Sequence, residues 1–411
     1  MSEPRDAPGP QYARPRGEFV ALIALTMSLV AMSIDSMLPA LPAIAADLHA
    51  GDPNDRQLVL TAFFAGLTLG QLISGPVSDS IGRKPTIYAG IGLFVAGGLT
   101  CALAVSFPMM LVGRSVQGLG AASPRIVSVA MVRDLYQGRP MARVMSFVMA
   151  IFILVPILAP SIGQIVLLVA SWRAIFVALL AMAGVALVWT ALRQPETLPH
   201  DRRRRFAAGP LARAVVECFR NRATLCYMTS SGLMFAAFIA YLGTSQQIFQ
   251  EIYDLGTLFP VAFGALAVAI GAASLTNAWL VIRLGMRELA LWALRLSTVL
   301  SLATLAVAWA VGGHIPLWAF MAYMLATFFC SGLLFGNLNA LAMGPMGHIA
   351  GVAAAVVGSI TSVVSLAIGT PIGRAYDGTV VPLIGGFAFL YAAALGLVSI
   401  AEVEANPIRT P

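Results

Sequence analysis

The chain has 411 residues, of which 59% are hydrophobic and only 10% charged, and it carries a formal net charge of +7. Water-soluble domains carry about 25% charged residues, so this composition excludes an ordinary soluble domain and indicates a membrane protein. The positive charge requires no nucleic acid partner, because a basic face against anionic lipid explains it. Cys101, Cys218, Cys226 and Cys330 show no paired spacing, and we expect neither a disulfide nor a metal site.

Apolar runs separated by short polar breaks predict twelve transmembrane helices, since about 20 residues cross a bilayer core. The predicted fold is all-α, with two pseudo-symmetric six-helix bundles at 18–192 and 223–402. A polar cytoplasmic linker at 193–222 joins them, and 1–17 and 403–411 are predicted cytoplasmic tails, the first disordered. The predicted spans are 18–46, 57–77, 86–105, 107–131, 141–168, 172–192, 223–249, 257–282, 288–312, 315–340, 350–373 and 382–402.

The positions of the basic residues predict how the chain is oriented. With the N-terminus in the cytoplasm, 19 of the 25 lysines and arginines fall on the cytoplasmic side. The basic run 202–205 then serves to fix the topology of the linker. We therefore expect a multi-pass membrane protein with both termini cytoplasmic, whose surroundings are the lipid bilayer.

The first predicted span holds one acid, Asp35, in an otherwise apolar run. A carboxylate at that depth costs several kcal/mol unless it is neutralised, paired or hydrated, so a functional role is the first hypothesis. Pro39 and Pro42 follow and should loosen the outer end of this helix.

A short charged stretch, GPVSDSIGRKP at 75–85, connects the second and third spans. It predicts a tight turn between two antiparallel helices. Its two glycines should allow close helix approach and a positive φ, which side chains tolerate poorly. The candidate conformational residues of this stretch are Gly75, Asp79, Gly82, Arg83 and Lys84.

The fourth predicted span carries Arg114, Gln117 and Arg125. Arg114 and Asp35 fall at matching depths, about 10–15 Å from the outer surface, and could meet across a central cavity. A purely structural ion pair is the alternative. Arg125 lies three turns from Arg114 on the same face, and either lines that cavity or reaches the inner interface. Arg133 and Asp134 end the span on the cytoplasmic side.

The fifth predicted span contains Pro156, Pro160 and Gly163, which predict a helix able to bend and to pack closely on a neighbour. An internal repeat supports the two-bundle plan. Gly82 recurs as Gly285, 203 residues later. The pair Pro160 and Gly163 recurs as Pro371 and Gly373, about 210 residues later.

In the second half, the polar side chains within spans carry no charge. This favours a pocket for neutral or weakly polar organic molecules, although hydrogen bonds between helices are the alternative use of buried amides. These side chains are Gln246, Gln247, Asn277, Asn337 and Asn339, with Tyr241 and Phe235 nearby. Tyr241, Asn337 and Asn339 are the candidate binding residues.

These motifs together resemble those of the major facilitator superfamily. The stretch 75–84 matches its G-x-x-x-D-x-x-G-R-K signature, and Arg114 to Gly118 resembles the R-x-x-Q-G signature of its proton-coupled members. Pro160 and Gly163 are similar to a signature of its antiporters. The stretch 34–42 resembles the first helix of the bicyclomycin-resistance group of twelve-span drug antiporters, as does the Y-D-G at 376–378.

The resemblance implies an exporter that exchanges drugs or other small organic molecules for protons by alternating access, with no cofactor besides the coupling proton. It also implies that Asp79, Arg83, Arg133 and Asp134 form an inner charge network that holds the outward-facing state. The resemblance further implies a monomer in the bacterial inner membrane, whose partners are the lipid bilayer, protons and a small-molecule substrate. A symporter or uniporter remains the alternative. A channel or an enzyme is less favoured, because the four histidines fall in loops and no hydrolase or zinc-protease motif is present.

Overall fold

The computed structural model describes residues 16–136, 138–203 and 208–405, so most of the two predicted tails lies outside the described residues. The helical prediction is confirmed. Twelve long helices are described: α1 (Arg16–Asp35), α3 (Leu58–Ile81), α4 (Arg83–Ala102), α5 (Phe107–Leu135), α6 (Gly138–Val169), α7 (Arg173–Arg193), α9 (Arg222–Gln247), α10 (Phe259–Leu284), α11 (Met286–Ala310), α12 (Leu317–Met343), α13 (Ala350–Arg374) and α14 (Val381–Ala405). Two shorter helices are α2 (Leu41–Asp47) and α8 (Ala208–Arg220).

Nine stretches of the described residues are long and apolar enough to cross a membrane. One of them, Leu317–Arg374, contains both α12 and α13. Two further long helices complete the set of twelve. These are α5, in which the charges of Arg114, Arg125 and Arg133 reduce the hydropathy, and α6, whose sequence is apolar over most of its length.

Helices α1 to α7 form one bundle and α9 to α14 form the other. In the first bundle, α5 lies between α3 and α4, and glycines permit these close approaches. A Cβ atom at Gly66 would overlap the carbonyl oxygen of Ser115, and one at Gly97 would overlap the main chain of Gln117. The two bundles meet where α3 packs against α13 and α6 packs against α10.

The two ends of the molecule differ in how the halves are joined. We call the end that carries residues 48–57, 170–172, 253–258 and 375–380 the closed end, because polar contacts between the halves concentrate there. The opposite end carries residues 194–221, which connect the two bundles, and we call it the linker end.

The turn predicted at 75–85 is shorter than the sequence indicated. Helix α3 continues to Ile81 and α4 begins at Arg83, so the turn is Gly82 alone, with φ of +112°. Its counterpart Gly285 joins α10 to α11 with φ of +80°, which supports the internal repeat. Gly75 is helical, and a Cβ atom added there would meet nothing within 4 Å, so it mediates no close helix contact in this structure.

The predicted polar linker at 193–222 contains a helix that was not predicted from the sequence. The 13 residues of α8 pack against α13 and α9. Ala214 and Cys218, one turn apart, are buried, whereas Arg213 and Arg220 are exposed. One narrow apolar face is enough to dock this short helix, even though most of its surroundings in the sequence are polar.

Candidate functional site

The first helix breaks immediately after Asp35. Proline has no N–H, so Pro39 cannot donate to the Asp35 carbonyl four residues earlier, and Pro42 cannot donate to that of Leu38. The chain passes through a 3-10 turn at Leu38–Ala40 before α2 begins at Leu41. The predicted loosening of this helix is therefore a complete interruption, and it fixes Asp35 at the last helical position.

Gly163 of α6 packs directly on this break. A Cβ atom there would overlap the carbonyl oxygen of Ser36, the residue after Asp35. Ala159 and Pro160, one turn earlier in α6, are buried, and Pro156 is half-buried. The predicted close packing around Gly163 thus has a specific partner: the interrupted backbone beside the acid.

Asp35 is buried, with 5% of its surface exposed. Tyr241 of the second half lies within range of its charge and is 1% exposed. Asp35 is 19 residues after Arg16, and Tyr241 is 19 residues after Arg222, the first residues of two helices that start at the linker end. At the helical rise both lie about 28 Å from that end. The acid and the phenol therefore lie at the same depth in opposite halves, close enough for the Asp35 charge to act on the phenol.

The Tyr241 ring is held by neighbours in its own half. It stacks on Phe263 with ring centroids 5.7 Å apart, and its edge contacts Phe328 at 4.7 Å. Its buried hydroxyl has no hydrogen-bond partner among the described residues. An unpaired phenol hydroxyl beside a buried carboxylate is costly to keep unless a water or a ligand group completes the site.

Arg114 does not pair with Asp35, which corrects the sequence prediction. Its guanidinium donates to the carbonyl oxygens of Ser33 at 3.0 Å and Val59 at 3.2 Å, and to Gln117 Oε1 at 2.7 Å. It also lies over the Phe63 ring, 4.5 Å from the centroid. The prediction of matching depth was sound, but the acceptors of Arg114 are main-chain and amide oxygens.

The break in α1 explains the first of these acceptors. The N–H of Met37 bonds to the Ile34 carbonyl instead of to that of Ser33, four residues before it. The Ser33 carbonyl is thereby left for Arg114 to occupy. Gln117 is wholly buried against α4, and its Nε2 has no partner among the described residues. Arg114 and Gln117 therefore hold the interrupted helix in place.

Neither the Asp35 carboxylate nor the Arg125 guanidinium is neutralised within the described part of the chain. Asp35 forms no ion pair with any described residue, and the half-buried Arg125 forms neither an ion pair nor a hydrogen bond with one. Three turns of α5 separate Arg125 from Arg114, so the two share one face of the helix.

The closed end joins the halves through a dense polar interface. Gln57 donates to Gln247 Oε1 and to the Gly373 carbonyl, each at 2.9 Å. Arg56 pairs with Glu251 and donates to Gln246 Oε1 at 3.2 Å. Gln246 and Gln247, which the sequence placed near a pocket, therefore belong to this interface.

Two further contacts extend the same interface. Arg374 pairs with Asp55 at 2.6 Å. Asn54 donates to the carbonyl oxygens of Arg374 and Tyr376, and accepts from Gln247. Burial, together with the Glu251 carboxylate, raises the pKa of Tyr376 to about 12, so this phenol stays neutral at physiological pH.

The linker end carries the predicted charge cluster, with one change. Arg83 is buried and pairs with Asp79 and with Asp134, as expected from the sequence. Arg133 is exposed and forms no ion pair among the described residues, so it does not join the cluster. Lys84, beside Arg83, donates to the Ala191 carbonyl at 3.0 Å.

Glu196 is a further residue of this end that was not predicted from the sequence. Its two carboxylate oxygens accept from the backbone N–H groups of Arg83 and Lys84, both at 3.0 Å. It thereby caps the start of α4 immediately after the Gly82 turn. The ion pairs of Arg83 lie within the first half, and the contact of His348 Nε2 with the Glu217 carboxylate joins α8 to the second half.

The two candidate asparagines of α12 have different surroundings. Asn337 is buried and donates to Asn277 Oδ1 at 2.7 Å, so it links α12 to α10, which was the alternative to a binding role. Asn339 is exposed. It lies one turn from Phe335, which contacts Phe235 and Phe238 of α9.

Comparisons with known proteins agree with this architecture. A family model described as the Major Facilitator Superfamily matches residues 23–370. The uncharacterized MFS-type transporter YdgK of Bacillus subtilis (strain 168) is 30% identical over 377 residues, covering 90% of this chain and 92% of that protein. The multidrug resistance protein MdtL of Escherichia coli O9:H4 (strain HS) is 33% identical over 220 residues, which span only 53% of this chain and 55% of MdtL. The solved human organic anion transporter MFSD10 (TETRAN) is similar in fold alone, with a TM-score of 0.66 at 17% identity over 94% of this chain and 99% of that chain.

Proposed function

Because this chain belongs to the Major Facilitator Superfamily, we propose that it is a secondary active transporter that exports small organic molecules in exchange for protons. We further assign it to the bicyclomycin-resistance group of drug antiporters, in the bacterial inner membrane with both termini in the cytoplasm. The similarity to a multidrug resistance protein over about half of the chain supports export of drug-like molecules. The resemblances at 34–42 and 376–378 support the assignment to that group, and those at Arg114 and Gly163 support proton coupling and antiport.

One observation carries the proposal: Asp35 is buried at the interface between the halves and has no cationic partner among the described residues. A carboxylate in this position is stable if it binds a proton or if it contacts water or a polar substrate. An apolar residue at position 35 would stabilise the folded protein at least as well as a buried acid does. A proton-binding role accounts for the acid more simply than a packing role does.

Antiport follows if the proton and the substrate compete for the same site. A substrate that reaches Asp35 and Tyr241 from the linker end favours the ionised acid or displaces its proton. A proton that binds Asp35 from the closed end favours release of the substrate. The two ligands then stabilise different conformers, and neither direction of transport proceeds without the other ligand.

Alternating access requires the halves to separate at one end while they join at the other. In this structure the contacts of Gln57, Arg56 and Arg374 join them at the closed end. We infer that this conformer opens toward the linker end, which the arginine distribution assigns to the cytoplasm. The cluster of Arg83 with Asp79 and Asp134 would then stabilise the linker end of the first half in both conformers.

A growth-inhibition panel in an efflux-deficient bacterial host tests export and identifies a substrate. Expression of the chain should raise the inhibitory concentration of at least one compound. The purified protein in liposomes should then move that compound against its gradient when a pH difference is imposed, and reversal of the pH difference should reverse the direction of movement. A compound that only equilibrates would indicate a uniporter, and one that moves together with protons would indicate a symporter.

A further inference from the structure

The direction of Arg125 on α5 follows from that of Arg114. Helix α4 packs on one side of α5, where Gly97 contacts Gln117, and α3 packs on the other, where Gly66 contacts Ser115. Arg114 projects between these two sides, and its guanidinium contacts carbonyl oxygens of both α1 and α3. Arg125 follows Arg114 by 11 residues, so it lies within about 20° of the same direction. Arg125 is half-buried, and in this direction its exposed part would face the space between the halves.

The charge of Arg125 is not compensated within the described part of the protein. It forms no ion pair or hydrogen bond with another described residue. Ten residues separate it from the end of α5 at Leu135, so it lies about 15 Å from the linker end. Asp35 lies about 28 Å from the same end, too deep to neutralise it. A partly desolvated guanidinium at this depth is an expensive feature unless an anion binds there.

Three aromatic rings of the second half lie at a similar distance from the linker end as Arg125. Phe235 and Phe238 of α9 contact Phe335 of α12, with ring centroids 5.5 and 6.1 Å from that of Phe335. All three side chains are half-buried. Phe335 is eight residues from the end of α12, and Phe235 and Phe238 are 13 and 16 residues from the start of α9, so the rings lie about 12–24 Å from the linker end. This range includes the depth of Arg125.

We propose that the cleft binds an amphipathic organic acid, whose acid group pairs with Arg125 and whose aromatic or apolar body packs on Phe235, Phe238 and Phe335. The assignment rests on the proposed function as a transporter and names the substrate class of the same cleft. From the polar side chains of the second half alone, we predicted a neutral or weakly polar ligand. The proposed ligand is an anion because the positive charge of Arg125 is contributed by the first half. Arginine suits this role, since its planar fork binds a carboxylate through two hydrogen bonds.

The test uses three probes of one shape and different charge: 2-naphthoate, 2-naphthamide and 2-naphthylmethylammonium. Equilibrium binding to the full-length protein is measured in phosphatidylcholine nanodiscs with no pH gradient. The wild type should bind naphthoate at least about tenfold more tightly than either other probe. Arg125→Gln should remove the naphthoate preference and leave the affinity for naphthamide within about twofold of the wild-type value. Arg125→Lys should keep most of the naphthoate preference.

Arg295→Gln is the matched control, because Arg295 is also intramembrane but lies exposed beside Trp292, 6.0 Å from its ring centroid. It should bind all three probes as the wild type does. The assay measures equilibrium binding with no pH gradient, whereas proton coupling is measured as transport, so failure of proton coupling and failure of this assignment give different results. The proposal is overturned if wild type shows no naphthoate preference, if Arg125→Gln retains it, or if added phosphatidylglycerol abolishes it, which would assign Arg125 to a lipid headgroup.

Discussion

The side-chain amide of Gln57 lies 2.9 Å from Gln247 Oε1, and the two residues belong to opposite halves of the molecule. Gln57 directly precedes α3, and Gln247 ends α9. Gly243 and Gly373 leave the space that this side chain occupies, since a Cβ at either position would overlap Gln57 Oε1. The side chain is thus inserted between α9 and α13. These contacts must be broken before the cleft can open at the closed end.

Replacing Gln57 should shift the protein toward the conformer that is open at the closed end. Gln57→Ala removes two hydrogen bonds between the halves, each contributing about 0.5–1.5 kcal/mol. We therefore expect the ratio of the two conformers to change by roughly 5- to 150-fold. Spin labels at Val105 and Leu258, which are 83% and 60% exposed in the two halves, report the separation by pulsed electron paramagnetic resonance. The population at long distance should grow.

Gln250→Ala is the control for this shift. The Gln250 amide donates to the Gly256 carbonyl at 2.9 Å, a contact that stays within the second half. The distance distribution between the two labels in Gln250→Ala should match that in the labelled protein without this substitution. An unchanged distribution in Gln57→Ala would show that these contacts do not hold the closed end together.

Gly163 should tolerate no side chain. Gly163→Ala places a methyl group against the Ser36 carbonyl, so α6 or the interrupted α1 must move. Overpacking of this kind costs about 1–3 kcal/mol. We expect a lower thermal midpoint in detergent and a loss of transport. Gly184→Ala, in α7 with nothing within 4 Å of the added Cβ, should be neutral or slightly stabilising. Equal midpoints for the two variants would refute the packing role of Gly163.

Arg114 should act as a structural residue, and lysine should not replace it. Lys cannot span the Ser33, Val59 and Gln117 oxygens with one fixed fork, so Arg114→Lys leaves buried acceptors unsatisfied. We expect a loss of about 2–5 kcal/mol in the free energy of unfolding. Because Arg114 does not pair with Asp35, the effects of Arg114→Lys and Asp35→Asn on stability should add within about 0.5 kcal/mol. A coupling energy well above that value would favour the ion pair between Asp35 and Arg114 that was predicted from the sequence.

Glu196 should stabilise the turn at Gly82. Glu196→Ala removes the acceptor for two backbone N–H groups at the start of α4, and a lost cap of this kind costs about 0.5–2 kcal/mol. We expect a lower thermal midpoint. Glu288→Ala, a change of an exposed acid in the first turn of α11, should leave the midpoint within the experimental error. A Glu196→Ala variant as stable as the wild type would contradict the capping role.

The features that could be predicted from the sequence are local. The apolar runs indicated the long helices because, in a bilayer, a helix satisfies the hydrogen-bonding groups of its own backbone. Gly82 and Gly285 were recognisable as turns because a positive φ favours glycine at those positions. Asp35 was recognisable as unusual because an acid in an apolar run is costly wherever the helix lies.

The features that were missed depend on contacts between distant residues or on backbone atoms. Arg114 was predicted to pair with Asp35 because side-chain acceptors can be identified from a sequence. A main-chain carbonyl that is free to accept a hydrogen bond cannot. The actual acceptor of Arg114 on α1 exists only because the helix is interrupted there. Gln57 and Gln247 are 190 residues apart, and each alone is an ordinary polar residue at the end of a span. Their pairing follows from the packing of the two halves.

The proposed transport depends most on Asp35 as the site where the coupling proton binds. The direct measurement is substrate movement in proteoliposomes under an imposed pH difference, with the compound that the growth panel identifies and with wild-type and Asp35→Asn protein. Wild type should accumulate the compound against its gradient. Asp35→Asn should bind it and exchange it at equal concentrations, but should not respond to the pH difference. If the response of Asp35→Asn to the pH difference equals that of the wild type, Asp35 is not the coupling site.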